Sequence, residues 1–268
     1  MILSLAIAGG AGRMGLALVR AAENAEDLQV VGASERAGAA SLGQDVGALA
    51  GIGPIGVALT DKSAEAALTA DVWIDFTAPE ATIAALEAMG GAQVRAAIIG
   101  TTGFSAAQEA QLSKAAERLA IVRSGNFSLG VTLLAALTRQ AAQRLGVDWD
   151  IEILEMHHRH KADAPSGTAL LLGEAAAAGR GDDLKALRLK PYDGKTGARP
   201  EGKIGFAVQR GGGVVGEHAV TFASEREIVR LSHQALDRAI FADGALVAAR
   251  WAAKQPAGLY SMQDVLGL

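Results

Sequence analysis

Apolar and polar positions fall into alternating blocks through the first half of the chain. Ile2–Ala8 is an apolar run that ends in glycines, and Leu28–Ser34 is a second run of the same kind. Shorter apolar runs follow at Val57–Leu59, Val72–Phe76, Ala96–Ile99 and Ile121–Arg123. Each reads as a strand, because it is brief and bounded by turn-forming residues. Between the runs lie Met14–Glu23, Glu80–Met89 and Ala106–Leu119, which have the Ala-rich composition of helices. Strand–helix alternation of this kind predicts an α/β fold with a Rossmann-like, doubly wound parallel sheet.

The pattern changes after about Phe127. Leu129–Leu145 reads as one long helix, Asp150–Met156 alternates as a strand does, and Thr168–Ala178 is an Ala/Leu helix. Ile204–Gln209, Val214–Phe222 and Ile228–Ser232 are strand-like, beside a Gly-rich and charged stretch from Pro191 to Gly216. These longer strands predict a second, α+β domain with a mixed or antiparallel sheet. A last helix, Ala235–Ala253, is expected to return to the first domain. The expected division is therefore 1–127 with the C-terminal helix and tail at about 236–268, and 128–235 as a substrate-binding and oligomerisation domain.

Composition narrows the function classes. With 268 residues, 50% hydrophobic and 20% charged, the chain can bury a core and does not resemble a disordered sequence. A net charge of −4 and only 4% aromatic residues give no field and no stacking platform for nucleic acid. Cysteine is absent, which removes disulfides, thiolate nucleophiles and Cys-ligated zinc, and fits a cytoplasmic location. Residues 1–11 are apolar, but no Lys or Arg precedes them and a glycine cluster ends them, so a strand is expected there and not a signal peptide. No run of 18 apolar residues occurs, so no membrane span is expected.

Gly10-Ala11-Gly12-Arg13-Met14-Gly15 matches G-x-G-x-x-G, with Gly9 immediately before it. The match follows an expected strand and opens an expected helix, the context a dinucleotide-binding loop requires. Glycines there permit a tight turn and backbone approach to a pyrophosphate, and the helix N-terminus favours its charge. Glu35 stands 20 residues beyond Gly15, where a carboxylate commonly holds a ribose diol. Arg36 beside it suits a 2′-phosphate. Acid and guanidinium together predict acceptance of both NADH and NADPH; a solvated surface pair is the alternative. Asp75-Phe76-Thr77, Gly100-Thr101-Thr102-Gly103 and Ser124-Gly125-Asn126-Phe127 follow further strands and are expected to line the same cleft, although ordinary turn chemistry also accounts for their Gly and Asn residues.

The most unusual stretch is Glu155-Met156-His157-His158-Arg159-His160-Lys161-Ala162-Asp163-Ala164-Pro165-Ser166-Gly167-Thr168. A metal site built from His157, His158, His160 and Asp163 is one reading, but Arg159 and Lys161 would set cations beside the ion. A solvated charge run is another. The favoured reading is an anion site that also supplies a proton, with no metal. His titrates near neutrality, and a desolvated Lys161 could also give up a proton. Gly167 and Thr168 open a helix whose N–H groups can take a carboxylate.

Taken together, Gly9–Gly15, Asp75–Thr77, Gly100–Phe104, Asn126-Phe127, Arg210–His218 and the ungapped H-H-x-x-K-x-D-x-P-S-G-T-A string at 157–169 resemble the 4-hydroxy-tetrahydrodipicolinate (dihydrodipicolinate) reductase family. The resemblance implies His157 as proton donor, His158 as a substrate contact, and Lys161 as second donor or carboxylate partner. It implies Gly167 and Thr168 as carboxylate binders. It also implies Gly9, Gly10, Ala11, Gly12, Arg13, Met14, Glu35, Arg36, Gly100, Thr101, Thr102, Ser124, Gly125, Asn126 and Phe127 around NADPH or NADH. A small dicarboxylate substrate and a homotetramer built through the second domain's sheet are implied as well. The cationic loop is then expected to face the nicotinamide across one cleft. A semialdehyde dehydrogenase of similar plan would need a nucleophilic Cys, and a non-catalytic NADP sensor would have no need of clustered titratable groups.

Overall fold

The runs of apolar residues and the glycines that end them become strands and turns in the computed structural model, which describes residues 2–90 and 92–268. Met1 and Gly91, both within the expected first domain, lie outside the described residues. The chain divides into two units, one of residues up to Ser128 together with Ala239–Gly267, the other Leu129–Arg238.

In the first unit the order is β1 (Leu3–Ala8), α1 (Arg13–Glu23), β2 (Leu28–Ser34), α2 (Val46–Ala50), β3 (Leu59–Thr60), α3 (Ser63–Ala66), β4 (Val72–Asp75), α4 (Pro79–Ala88), β5 (Ala96–Ile99), α5 (Ala106–Ala115) and β6 (Ala120–Arg123). The second unit contributes α6 (Leu129–Arg144), β7 (Asp150–His157), α7 (Gly167–Gly179), α8 (Leu184–Leu187), β8 (Ile204–Arg210), β9 (Gly216–Ala223) and β10 (Ile228–Ala235). The chain then returns to the first unit as α9 (Ala239–Ala252), β11 (Gly258–Tyr260) and α10 (Met262–Leu266).

Among the described residues the first sheet has the order β11-β6-β5-β4-β1-β2-β3, and all its pairings are parallel. Its central strands are buried on both faces, as helices on each side require. Leu5, Ile7, Trp73, Ile74, Ile98 and Ile99 are fully enclosed. Burying an aliphatic side chain of that size contributes roughly 1.5–3 kcal/mol. Helix α9 packs on α1 and across β4–β6. That close approach needs Gly244, where a Cβ would overlap the Phe127 carbonyl.

The second sheet has the order β10-β9-β7-β8; β7 pairs parallel with β8 and antiparallel with β9, and β9 pairs antiparallel with β10, so the sheet is mixed. Strand β7 alternates strictly. Ile151, Ile153, Glu155 and His157 face inward, and their neighbours face out. The inner face packs under α6 and α7 through Leu134, Ile151, Ile153, Leu172 and Phe222. Glu155 and His157 extend the same row beyond the apolar core, and so enter the site described next.

Candidate active site

In the first unit, β1 lies between β2 and β4, so the chain's connections run in opposite directions on its two sides. Loops leaving the carboxyl ends of β1 and β4 diverge there and open a crevice. The glycine loop occupies that point. Gly9 has φ +63°, Gly12 donates to the Gly9 carbonyl at 2.8 Å, and Gly10 donates to Ser34 at 2.9 Å. A Cβ at Gly15 would overlap the Gly9 carbonyl, and one at Gly12 would lie 3.0 Å from the same oxygen. Helix α1 starts with Gly12 at its N-cap and no side-chain cap. Its first turn thus presents backbone and a positive dipole end where a diphosphate would sit, so the residues fit a dinucleotide.

A groove of 870 Å³ leads from Gly9 past Glu35, Arg36 and Ser63 to Asp75 and Thr77. Glu35 and Arg36 leave the end of β2 side by side, with the Glu35 carboxylate accepting the Arg36 backbone N–H at 2.9 Å. The Asp75 carboxylate, fully buried, ties the neighbouring loops together. One of its oxygens accepts from the Thr77 N–H at 2.9 Å, the Thr77 hydroxyl at 2.6 Å and the Thr101 hydroxyl at 3.3 Å. The Thr101 side chain is therefore turned inward, where it also accepts from the Thr82 hydroxyl at 3.0 Å, whereas Thr102 is exposed. Gly100 leaves room for the Phe76 ring. Ser124 and Asn126 form a turn closed by Ser124 Oγ on the Asn126 carbonyl at 2.6 Å and by the Ser128 N–H on Asn126 Oδ1 at 2.8 Å. Phe127 is buried edge-on to Phe76, ring centroids 5.2 Å apart, so its ring belongs to the core.

The second unit gathers the histidine segment. Alternation along β7 puts Glu155 and His157 on one face, and register brings Arg210 of β8 opposite His157 and His218 of β9 opposite Glu155. Glu155 has no solvent exposure and accepts four hydrogen bonds. Oε2 takes His157 Nδ1 at 2.6 Å and Arg210 Nη1 at 2.7 Å; Oε1 takes Arg210 Nη2 at 3.0 Å and the Ser166 N–H at 2.9 Å. Burial pushes this carboxyl up, but the donors from Arg210, His157 and Ser166 outweigh it and hold it below the usual carboxylate range. His218 lies edge-on to His157 at 5.1 Å, and its Nε2 is 2.9 Å from Ser166 Oγ. Burial, reinforced by the charge of His157, pushes His218 down to about 4.

The segment beyond His157 is pinned by the turn before β9. The Gly211 N–H donates to the His157 carbonyl at 3.0 Å and the His158 N–H to the Val214 carbonyl at 2.8 Å. That turn replaces the start of the strand expected from Val214; the strand begins at Gly216. His158 Nε2 lies 3.1 Å from Arg238, and desolvation with that guanidinium lowers its pKa. Lys161 is largely covered, and its ammonium meets the Asp163 carboxylate at 2.9 Å, so its charge is compensated. Ser166 caps α7 by accepting from the Ala169 N–H at 3.1 Å; Gly167 beside it is exposed, with no atom within 4 Å of where a Cβ would stand. Among the described residues no group of three or more His, Asp or Glu side chains is arranged to hold a metal ion, and no helix is long and apolar enough to cross a membrane.

The candidate residues therefore occupy two places: the strand ends of the first sheet, and the loop from β7 to α7. The sequence placed Asp75 in a loop expected to line the cofactor cleft, where the groove contains it, but did not single out Glu155, Arg210, His218 or Arg238 as functional. The spacing Glu155-x-His157 on an alternating strand was the one available signal; the partners come from register and could not be read from spacing.

Comparison with known proteins covers both halves of the chain. Residues 3–127 match the family model described as dihydrodipicolinate reductase, N-terminus, and residues 130–266 match dihydrodipicolinate reductase, C-terminus. The chain is 55% identical to 4-hydroxy-tetrahydrodipicolinate reductase of Sinorhizobium fredii, covering 99% of this chain and 98% of the relative. It is 54% identical to that of Methylocella silvestris, covering 98% and 97%. A solved structure described as dipicolinate-bound dihydrodipicolinate reductase from Paenisporosarcina sp. TG-14 superposes with a TM-score of 0.77 at 25% identity, covering 98% of this chain and 99% of that one. An amine dehydrogenase from Mycobacterium smegmatis shares the fold alone, with a TM-score of 0.65 at 15% identity over 97% and 95% of the two chains. With both halves matched by its family models and full-length relatives above half identity, the chain belongs to the dihydrodipicolinate reductase family.

Proposed function

We propose that this chain reduces 4-hydroxy-tetrahydrodipicolinate to tetrahydrodipicolinate with NADPH or NADH, a step of lysine and diaminopimelate biosynthesis. The observation that carries the reading is the loop from β7 to α7, which joins an imidazole held by a buried carboxylate to a cationic run and an exposed helix N-terminus. That combination suits a substrate with two carboxylates and a carbon that must be protonated.

The dinucleotide would lie along Gly9–Met14, with Glu35 at the ribose diol or Arg36 at a 2′-phosphate, and with Gly100–Thr102 and Ser124–Phe127 toward its other end. When bound, its nicotinamide supplies the hydride. His157 then delivers a proton from Nε2 to the carbon left electron-rich by reduction, because Nδ1 is committed to Glu155. Lys161 offers either a charge for a substrate carboxylate or a second proton, exchanging its contact with Asp163 for one with the substrate. His158 contacts the substrate, and the backbone at Gly167 and Thr168 takes a carboxylate at the α7 dipole end. Cations placed where negative charge gathers lower the barrier without rearrangement.

The open face of the second sheet carries Leu154, Met156, Ala219 and the exposed Ile228. Apolar residues on an uncovered sheet face fit a homotetramer assembled there. The reduced-nicotinamide requirement and the absence of cysteine fit a cytoplasmic setting.

The test is cofactor absorbance in the presence of the freshly formed product of dihydrodipicolinate synthase. Consumption of NADPH and NADH is expected; a folded protein that consumes neither would remove the reading. Sedimentation is expected to show four chains, reduced to smaller species by Met156→Glu.

A further inference from the structure

Glu155 is the hub of the buried titratable groups of the second unit. An ionised carboxylate only accepts hydrogen bonds. Three of the four contacts on Glu155 come from groups that can only donate, Arg210 twice and the Ser166 N–H once. The fourth, at 2.6 Å on the oxygen shared with Arg210 Nη1, must therefore also be a donor, so His157 carries its hydrogen on Nδ1. Ser166 Oγ accepts from the Ala169 N–H and keeps a hydrogen and a second lone pair for His218 Nε2 at 2.9 Å, while the buried Nδ1 of His218 meets no partner.

We propose that Glu155, clamped by Arg210 and the Ser166 N–H, is the positioning residue that holds His157 in one tautomer and leaves Nε2 as the atom that exchanges the proton. The proposal rests on the reading of His157 as proton donor, and it adds no covalent step. His157 gives up the Nε2 proton to substrate carbon, keeps Nδ1–H, and regains the Nε2 proton from solvent. Gly216 serves the same end: a Cβ there would lie 3.1 Å from His157 Nε2, so a side chain would crowd the atom that must be reached. The titratable and charged groups around the imidazole are Glu155 on its own strand, Arg210 on β8, His218 on β9, and His158 and Lys161 in the following loop. Glu155 is the one anion hydrogen-bonded to it among the described residues.

The direct test is nitrogen-15 NMR of histidine in the full-length protein. Neutral His157 is expected as the Nδ1–H tautomer; finding the Nε2–H tautomer overturns the proposal whatever any variant does. Glu155→Gln is then expected to lower kcat by about 10²-fold or more, within the range that acid–base catalysis contributes. KM and cofactor affinity should change less than about threefold, and the basic limb of the kcat–pH profile should move to lower pH. An unchanged kcat, or equal losses in kcat, KM and cofactor affinity with an unmoved profile, overturns it. His157→Gln separates the two claims. If His157→Gln is fully active, the proton-donor reading fails and the proposal fails with it. If His157→Gln is inactive and Glu155→Gln is normal, only the positioning role fails.

Discussion

Glu155 keeps an ionised carboxylate at a position with no solvent exposure, and its four donors make that tolerable. Removing one partner is therefore costlier than losing one hydrogen bond, because a buried charge is left short of compensation. Arg210→Met is expected to destabilise the fold by about 3–5 kcal/mol, read from the midpoint of urea unfolding. A neutral outcome would mean that water replaces the guanidinium. At the cofactor groove the corresponding residue is Arg36, exposed at the end of β2. Arg36→Ala is expected to weaken NADPH about tenfold, or about 1.4 kcal/mol, and to leave NADH unchanged in equilibrium titration. Equal weakening of both would assign Arg36 to the surface.

Helix α7 owes its start to Ser166, whose hydroxyl caps the Ala169 N–H and bonds His218 while its own N–H bonds Glu155. Ser166→Ala removes the cap and leaves His218 Nε2 without its partner, so a loss of about 1–2 kcal/mol is expected from thermal unfolding. An unaffected midpoint would show that the cap is dispensable. Helix α9 depends on the opposite kind of residue, one with no side chain. Gly244→Ala would press a methyl into the Phe127 carbonyl, and the expected cost is roughly 1–3 kcal/mol with a lowered Tm. The longer elements were legible in the sequence, because apolar periodicity of α1, β2, β4, β5, α6, β7 and α9 reflects the core that each one covers. The short ones were not. Strand β11 has three residues, too few for any period to show, and it exists because Gly258–Tyr260 finds the free edge of β6.

For the whole chain, His218 couples folding to pH. Buried and neutral, it titrates near 4 in the fold, whereas the unfolded chain takes up that proton near the ordinary value of 6.5. The unfolded state thus binds more protons between those values, and stability from this group is lost as pH falls from about 6.5 to about 4. The loss amounts to roughly 3 kcal/mol and is complete below that range. Unfolding midpoints measured at pH 7 and pH 4.5 should therefore converge when wild type is compared with His218→Gln. A difference that does not change with pH would show that His218 is hydrated or charged in the fold.

By itself the sequence determined which segments become strands and helices, where the glycine loop lies, and which loop concentrates cations and histidines. Those properties are local: they follow from periodicity, glycine placement and residue chemistry within a dozen or so neighbours. Only the tertiary structure decided what surrounds His157. Arg210 and His218 lie far along the chain and meet the Glu155–His157 pair because β8 and β9 flank β7 in one particular register, with alternate side chains on the same face. A shift of one residue in either pairing would have sent those groups to the other side of the sheet, and no local pattern specifies that choice.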